Sequence, residues 1–241
     1  MALIDDLAGH IDAFARTDDP QAAAVSFADT LKPYGLTGLG TRVYQMPEGP
    51  IDSDSIWKAG GGVATIWPAD WAGTPGFRYI CFTENPMLGA LRERRGYFLY
   101  SDLAPRERHG TYWEAFSEGG INEGMGVVVY GRGRQVSSLA MTFERLELSP
   151  MEKTVVRAAG LTLAERTALL CGTPPATAPK LTGREYDCLA YVAAGKSDWE
   201  ISVILNLSQA TVRFHVDNAR RKLDATTRTH AVARAAAAGL I

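Results

Sequence analysis

Arg213, Arg220, Arg221 and Lys222 fall in one stretch, QATVRFHVDNARRKL, from Gln209 to Leu223. At about 100° per residue, Val212, Val216, Ala219 and Leu223 share one side of a helix and form an apolar stripe fit for burial. Opposite them project Ala210, Arg213, Phe214, Asp217, Arg220 and Arg221, with Gln209 at the edge. Thr211, His215, Asn218 and Lys222 occupy a flank. Guanidinium and amide groups carried on such a rod can make paired hydrogen bonds to base edges in a DNA major groove, Arg213 to guanine and Gln209 to adenine, while Phe214 can touch a thymine methyl. Thr211, Lys222, Arg228 and the start of the preceding helix near Lys196 suit phosphate oxygens. Asp217 would be repelled by phosphate, which leaves it either to accept from a cytosine amino group or to orient Arg213 or Arg221. The predicted DNA-contacting set is therefore Lys196, Gln209, Thr211, Arg213, Phe214, Asp217, Asn218, Lys222 and Arg228. The same spacing would also suit a solvated basic face on a small helical bundle, with Phe214 packed on the first helix. Spacing alone leaves both open.

A second concentration of chemistry is aromatic. Of the 22 aromatic residues, ten lie between Trp67 and Trp113. Rings at that density suit a pocket for an acyl or aryl group, apolar with a few aimed polar atoms; an ordinary aromatic core would use them equally well. Catalytic chemistry has little support. His10, His109, His215 and His230 show no spacing to carboxylates or cysteines that suggests a triad or a metal site, and the Gly-rich pieces lack phosphate-loop form. Not an enzyme, and no cofactor or metal, is the expectation. Cys81, Cys171 and Cys188 are odd in number and widely spaced, which argues against a disulfide framework and for a reducing, cytoplasmic setting.

The elements that must position these residues can be read in outline. GTPPATAPK, 172–180, separates two helical patterns and predicts a linker between an N-terminal domain at 1–171 and a C-terminal domain, carrying the basic helix, at 181–241. Charge follows the same division. The net charge is −2 overall, yet the segment from Leu181 to Ile241 carries eight basic and six acidic residues. No apolar run approaches the ~18–20 residues that span a bilayer, and MALIDDLAGHIDAF lacks the basic flank of an export signal. Strands are predicted at 36–46 and 61–67, with a hairpin at 124–144 around Gly-Arg-Gly-Arg. Helices are predicted at 3–16, 20–33, 86–95 and 105–118, and from Pro150 towards Leu170, so a sheet flanked by helices is expected. In the last sixty residues four short helices can be drawn. Thr182-x-x-Glu185 and Ser197-x-x-Glu200 fit capping boxes, Gly195 sits at a helix stop, and Ser208 caps the helix that begins at Gln209. Ile201, Ile204 and Leu205 are expected to form one apolar face of the second helix. A capped helix, a tight turn and an amphipathic helix make the helix-turn-helix layout.

From Leu181 to Ile241 the sequence resembles the DNA-binding domain of LuxR-type regulators, through Thr182, Arg184, Glu185, Leu189, Gly195, Lys196, Glu200, Ile201, Thr211, Val212, His215, Lys222, Leu223, Arg228 and Ala231. The N-terminal half resembles, less densely, the acyl-homoserine-lactone-binding domain of quorum-sensing LuxR proteins. Trp67-Pro68-Ala69-Asp70-Trp71 is similar to the family's Tyr-Pro-x-x-Trp, and Gly120 and Gly124 match glycines before the hairpin. The resemblance implies an α+β chain: an N-terminal α/β/α sandwich around an antiparallel sheet, then an all-α four-helix helix-turn-helix domain. It implies double-stranded DNA, a second copy of the chain and RNA polymerase as partners, an inverted-repeat operator, and a small signal such as an N-acyl-homoserine lactone. Carried over by position, the ligand-binding residues are Trp67, Trp71, Asn85, Tyr100 and Gly124. Asn85 stands where the family has an Asp that accepts the ligand amide, and Tyr100 where it has a Trp that donates to the lactone carbonyl. A neutral hydrogen bond contributes ~0.5–1.5 kcal/mol where a charged one gives ~1.5–3, so the resemblance also admits a retuned pocket, or a ligand-independent regulator whose N-terminal half is a dimerisation or partner-binding module.

Overall fold

The structure, a computed structural model, describes residues 2–47, 49–68, 71–171, 180–238 and 240–241. Most of the expected linker, and Ala69 and Asp70 of the Trp67–Trp71 motif, lie outside the described residues. The chain divides into two compact units.

The first unit opens with α1 (Ala2–Arg16) and α2 (Pro20–Leu31). Asp19 caps α2 by accepting from the Ala22 N–H at 2.9 Å, with Pro20 at the first helical position. The sheet has five strands in the order β2-β1-β5-β4-β3, all pairs antiparallel. These are β1 (Leu36–Gln45), β2 (Gly62–Ile66), β3 (Tyr97–Leu99), β4 (Glu123–Tyr130) and β5 (Gln135–Phe143). The β4–β5 hairpin closes over Arg132–Arg134, where Gly133 takes φ 60°. Strand alternation sends Leu39, Met125, Val127, Leu139 and Met141 to one face, where they bury against α1, α2 and α8 (Pro150–Cys171). Each such side chain contributes roughly 1.5–3 kcal/mol on leaving water. The other face carries Tyr44, Val128 and Val136 and packs with Phe98 and Tyr100 against shorter helices. These are α3 (Ser53–Lys58), α4 (Pro75–Arg78, running into a π-helical turn at Tyr79–Thr83), α5 (Met87–Arg92), α6 (Tyr100–Leu103) and α7 (Gly110–Ser117). An α/β/α sandwich around an antiparallel sheet results, as expected. The helix predicted from residue 105 starts later, because Pro105 opens a turn in which its carbonyl accepts from the Arg108 and His109 N–H groups.

The second unit is α9 (Gly183–Ala193), α10 (Asp198–Leu205), α11 (Gln209–Lys222) and α12 (Arg228–Ala237). Both capping boxes form: Glu185 returns to the Thr182 N–H at 2.7 Å and Glu200 to the Ser197 N–H at 2.8 Å. Gly195 (φ 80°) ends α9, and Asn206 (φ 53°) makes the tight turn before the Ser208 cap. Val212, Val216, Ala219 and Leu223 are buried as the stripe requires. The expected apolar face of α10 needs correction, because Ile201 is buried whereas Ile204 is 47% exposed. An eight-residue helix lying across α11 turns only one narrow side inward.

Candidate functional sites

On α11, Gln209, Arg213, Phe214 and Asp217 are all exposed, on the side away from the buried stripe. Phe214 is 58% exposed, so the alternative in which it packs on a neighbouring helix is not what the fold adopts. The turn through Asn206 and the Ser208 cap, whose hydroxyl accepts from the Thr211 N–H at 3.0 Å, set the direction in which α11 leaves α10.

Two carboxylates hold basic groups in place: Asp198, which sequence reasoning did not assign, and Glu185, which it assigned only to a helix cap. Asp198, at the start of α10, accepts from Arg213 Nε at 3.1 Å through one oxygen and from Arg228 Nη1 at 3.0 Å through the other. Arg213 is thus gripped by its Nε, and among the described residues its two terminal nitrogens have no acceptor. Glu185 plays the same part for Lys222, whose Nζ donates to it at 2.7 Å and to the Lys180 carbonyl at 3.3 Å. Lys196 pairs with Glu200 at 3.2 Å, one helical turn on. Asp217 differs from expectation. Its partner is Arg220, at 3.3 Å, and not Arg221 or Arg213, the latter being held by Asp198. Arg221 donates instead to Asn218. Thr211 shares a hydrogen bond with Ser208 at 2.8 Å. The only local signal for Asp198 was an acidic residue in the first turn of a helix.

These capping carboxylates give a pH dependence. Burial pushes the Glu185 carboxyl pKa up, but hydrogen bonds from Lys222 and Thr182 outweigh it, and the net position is below the ordinary 4.5. Glu200 is held at about 2, chiefly by the Ser197 N–H and hydroxyl and then by Lys196. A carboxylate whose pKa is depressed by folding stabilises the fold above its unfolded pKa, and that contribution disappears as pH falls through the folded value. Amide protection in α9 and α10 is therefore expected to hold at neutral pH and to fall as pH descends from about 4.5 towards about 2. Hydrogen exchange across that interval checks it, and unchanged protection would contradict it.

In the first unit, between the sheet and the shorter helices, lies a cavity of about 520 Å³. Glycines let two of its aromatic rings lie close against the sheet. A Cβ at Gly40 would stand 3.0 Å from the Trp67 ring and one at Gly38 2.8 Å from it, so the indole can lie over β1 only because both lack side chains. A Cβ at Gly124 would meet the Tyr100 ring at 2.2 Å. Of the five residues carried over from the resemblance, Trp67, Asn85 and Tyr100 line the cavity. Trp71 is buried beside Trp67, with ring centroids 5.8 Å apart, and Gly124 lies behind Tyr100; these two support the wall without forming it.

The polar atoms of the wall are few. The Asn85 carbonyl accepts from the Met87 N–H at 3.1 Å, and its amide group donates to the Cys81 carbonyl at 3.5 Å. It is thus partly committed to starting α5. Neighbouring Glu84 does not line the cavity, and its carboxylate accepts from the Tyr79 hydroxyl at 2.7 Å and meets His109 Nδ1. Those bonds, His109 first, hold its pKa below the ordinary value. Tyr100 and Tyr112 are buried, which pushes both phenol pKa values up, and among the described residues neither hydroxyl has a protein partner. The Cys81 thiol is pushed up to about 12 by burial and stays un-ionised at neutral pH, so it is no nucleophile. Arg42 is the residue that sequence reasoning missed. It stands on the cavity face of β1, where every other lining side chain is neutral. Its Nε donates to the Gly60 carbonyl at 3.2 Å, and its Nη2 to the Ile56 and Gly60 carbonyls at 2.9 and 2.7 Å. Its guanidinium lies 5.1 Å from the ring centroids of both Tyr44 and Trp57. A charge at an inward position of an otherwise apolar alternation was the available signal. No His/Cys/Asp/Glu cluster able to hold a metal ion occurs among the described residues, and no helix among them is long and apolar enough to cross a membrane.

Residues 179–235 match the family model described as bacterial regulatory proteins, luxR family. The chain is 33% identical over 225 residues to the HTH-type quorum sensing-dependent transcriptional regulator RpaR of Rhodopseudomonas palustris, covering 86% of this chain and 82% of that protein. It is 28% identical over 184 residues to the transcriptional activator protein BjaR1 of Bradyrhizobium diazoefficiens, covering 72% of this chain and 73% of that one. The crystal structure of Escherichia coli SdiA superposes with a TM-score of 0.62 at 19% identity, covering 98% of this chain and 97% of that one, so the two share a fold. RpaR and BjaR1 are transcriptional regulators rather than enzymes. With a basic helix-turn-helix in one unit and an aromatic cavity in the other, the chain belongs to the LuxR family of quorum-sensing, DNA-binding transcriptional regulators.

Proposed function

We propose that the chain acts as a cytoplasmic homodimer on an inverted-repeat operator and is controlled by a small signal, an acyl-homoserine lactone or a similar apolar molecule, held in the cavity of the N-terminal unit. The cavity carries this reading: its volume of about 520 Å³ falls in the range that holds small ligands, and its wall pairs aromatic surface with the unpartnered Tyr100 and Tyr112 hydroxyls. On this reading residues 1–171 bind signal and dimerise, 172–180 link, and 181–241 hold DNA. Gln209, Arg213 and Phe214 face base edges, Lys196, Thr211, Lys222 and Arg228 face phosphates, and Asp217 and Asn218 aim the neighbouring Arg220 and Arg221. RNA polymerase is the further partner through which such a regulator acts.

A ligand that binds only the folded, dimer-competent state stabilises it by about 2.7 kcal/mol at a hundred times its Kd. The protein is therefore to be purified without signal, then assayed with and without N-octanoyl-homoserine lactone. Sedimentation gives the dimer fraction, and a duplex selected from a random pool gives DNA affinity. Both are expected to rise with the lactone. The partly committed Asn85 carbonyl favours a second reading, in which the N-terminal unit dimerises without a signal; full dimer formation and full operator affinity in the signal-free protein would establish it.

A further inference from the structure

We propose that the signal carries a carboxylate, seated on the guanidinium of Arg42 beside Tyr44 and Trp57. The inference rests on the signal-binding reading of the cavity and names a chemical feature of its occupant.

Arg42 brings one full positive charge to a wall that is otherwise neutral, and among the described residues it has no carboxylate partner. Three hydrogen bonds to the Ile56 and Gly60 carbonyls occupy its Nε and Nη2, while among the described residues Nη1 donates to nothing. The carbonyls fix the plane of the fork before any ligand arrives, and a donor fixed in advance loses little freedom on binding. Burial lowers the Arg42 pKa, and a guanidinium keeps its charge in proteins. A methyl-ended chain pushed against this group strips water from the free N–H bonds and returns nothing. A carboxylate returns charge-assisted hydrogen bonds and neutralises the site. A doubly charged phosphate would leave one negative charge uncompensated against apolar walls. Trp57 lines the cavity and is 39% exposed, so this side of the cavity reaches solvent and an ionised ligand can enter without first crossing the aromatic interior.

The test compares matched probes on the full-length protein by calorimetry and thermal shift. One pair is N-octanoyl-homoserine lactone and its analogue ending in a carboxylate in place of the terminal methyl; the other is octanoate and octan-1-ol. The carboxylate member of at least one pair is expected to bind wild type about tenfold or more tightly than its neutral mate, as a hydrogen-bonded charge pair outweighs a neutral contact. Arg42→Met is expected to abolish that preference, and Arg42→Lys to keep part of it. The wild-type comparison stands even if a variant fails to fold. Preference for octanoate over octanol with no binding of either lactone upholds the carboxylate and removes the lactone. Neutral lactone bound as well as or better than the carboxylate lactone, with octanoate no better than octanol, overturns the carboxylate and leaves the lactone reading standing. No binding of any probe overturns both.

Discussion

Lys222→Met is expected to destabilise the C-terminal unit by about 3 kcal/mol. Removing one member of a buried ion pair costs ~3–5 kcal/mol, because the other charge stays buried without compensation. The lower end applies because the Lys222 side chain is 39% exposed, whereas that of Glu185 is 5% exposed. Glu185 cannot turn away to water, since the same carboxylate caps α9 through the Thr182 N–H at 2.7 Å. The loss should therefore appear in both helices that the pair joins, α9 and α11, as earlier urea unfolding and faster amide exchange. A combined Glu185→Leu, Lys222→Met variant separates this from simple loss of packing. Replacing both charges with apolar groups of similar size removes the stranded carboxylate, so the double variant should recover much of the stability despite the lost cap. A single variant as stable as wild type, or a double variant no better than the single, would show that the pair is a surface contact of little weight.

The second large effect is on recognition. Arg213→Ala should weaken binding to the selected operator by ~1–3 kcal/mol and flatten the preference at one base position, the expected value of one bidentate base contact. Binding to unrelated duplex should change far less and remain steeply salt-dependent. Asp198 supplies a sharper control, because one carboxylate holds both Arg213 and Arg228. In Asp198→Asn both arginines lose their anchor while keeping their charge, so sequence preference should relax with little loss of non-specific affinity. If Arg213→Ala leaves the base preference intact, Arg213 is a phosphate contact and the reading residues are Gln209 and Phe214.

What could be read from the chain alone was mostly local. The capping boxes at Thr182 and Ser197, the stop at Gly195 and the buried stripe from Val212 to Leu223 depend on neighbours within one or two turns, and all took their expected form. Ile204 was misassigned because periodicity names a helix's apolar side without saying how wide its contact will be. Helix α3 and strand β3, six and three residues long, are too short to carry a period. The aromatic run from Trp67 to Trp113 is divided between a cavity wall and the core. Trp67, Phe77, Tyr100 and Tyr112 line the cavity, whereas Trp71, Phe98 and Trp113 belong to the core beside it. Asp198 with Arg213 and Arg228, and Arg42 with the carbonyls of Ile56 and Gly60, could not be foreseen, since each joins residues that only the tertiary fold brings together.

The indoles of Trp57 and Trp67 both stand in the cavity wall, the first stacked on Phe82 with ring centroids 5.6 Å apart and the second lying over the glycines of β1. An occupant that drives water from those two rings must change the colour and brightness of their ultraviolet emission. The protein therefore carries its own optical gauge of filling, readable without dye or label.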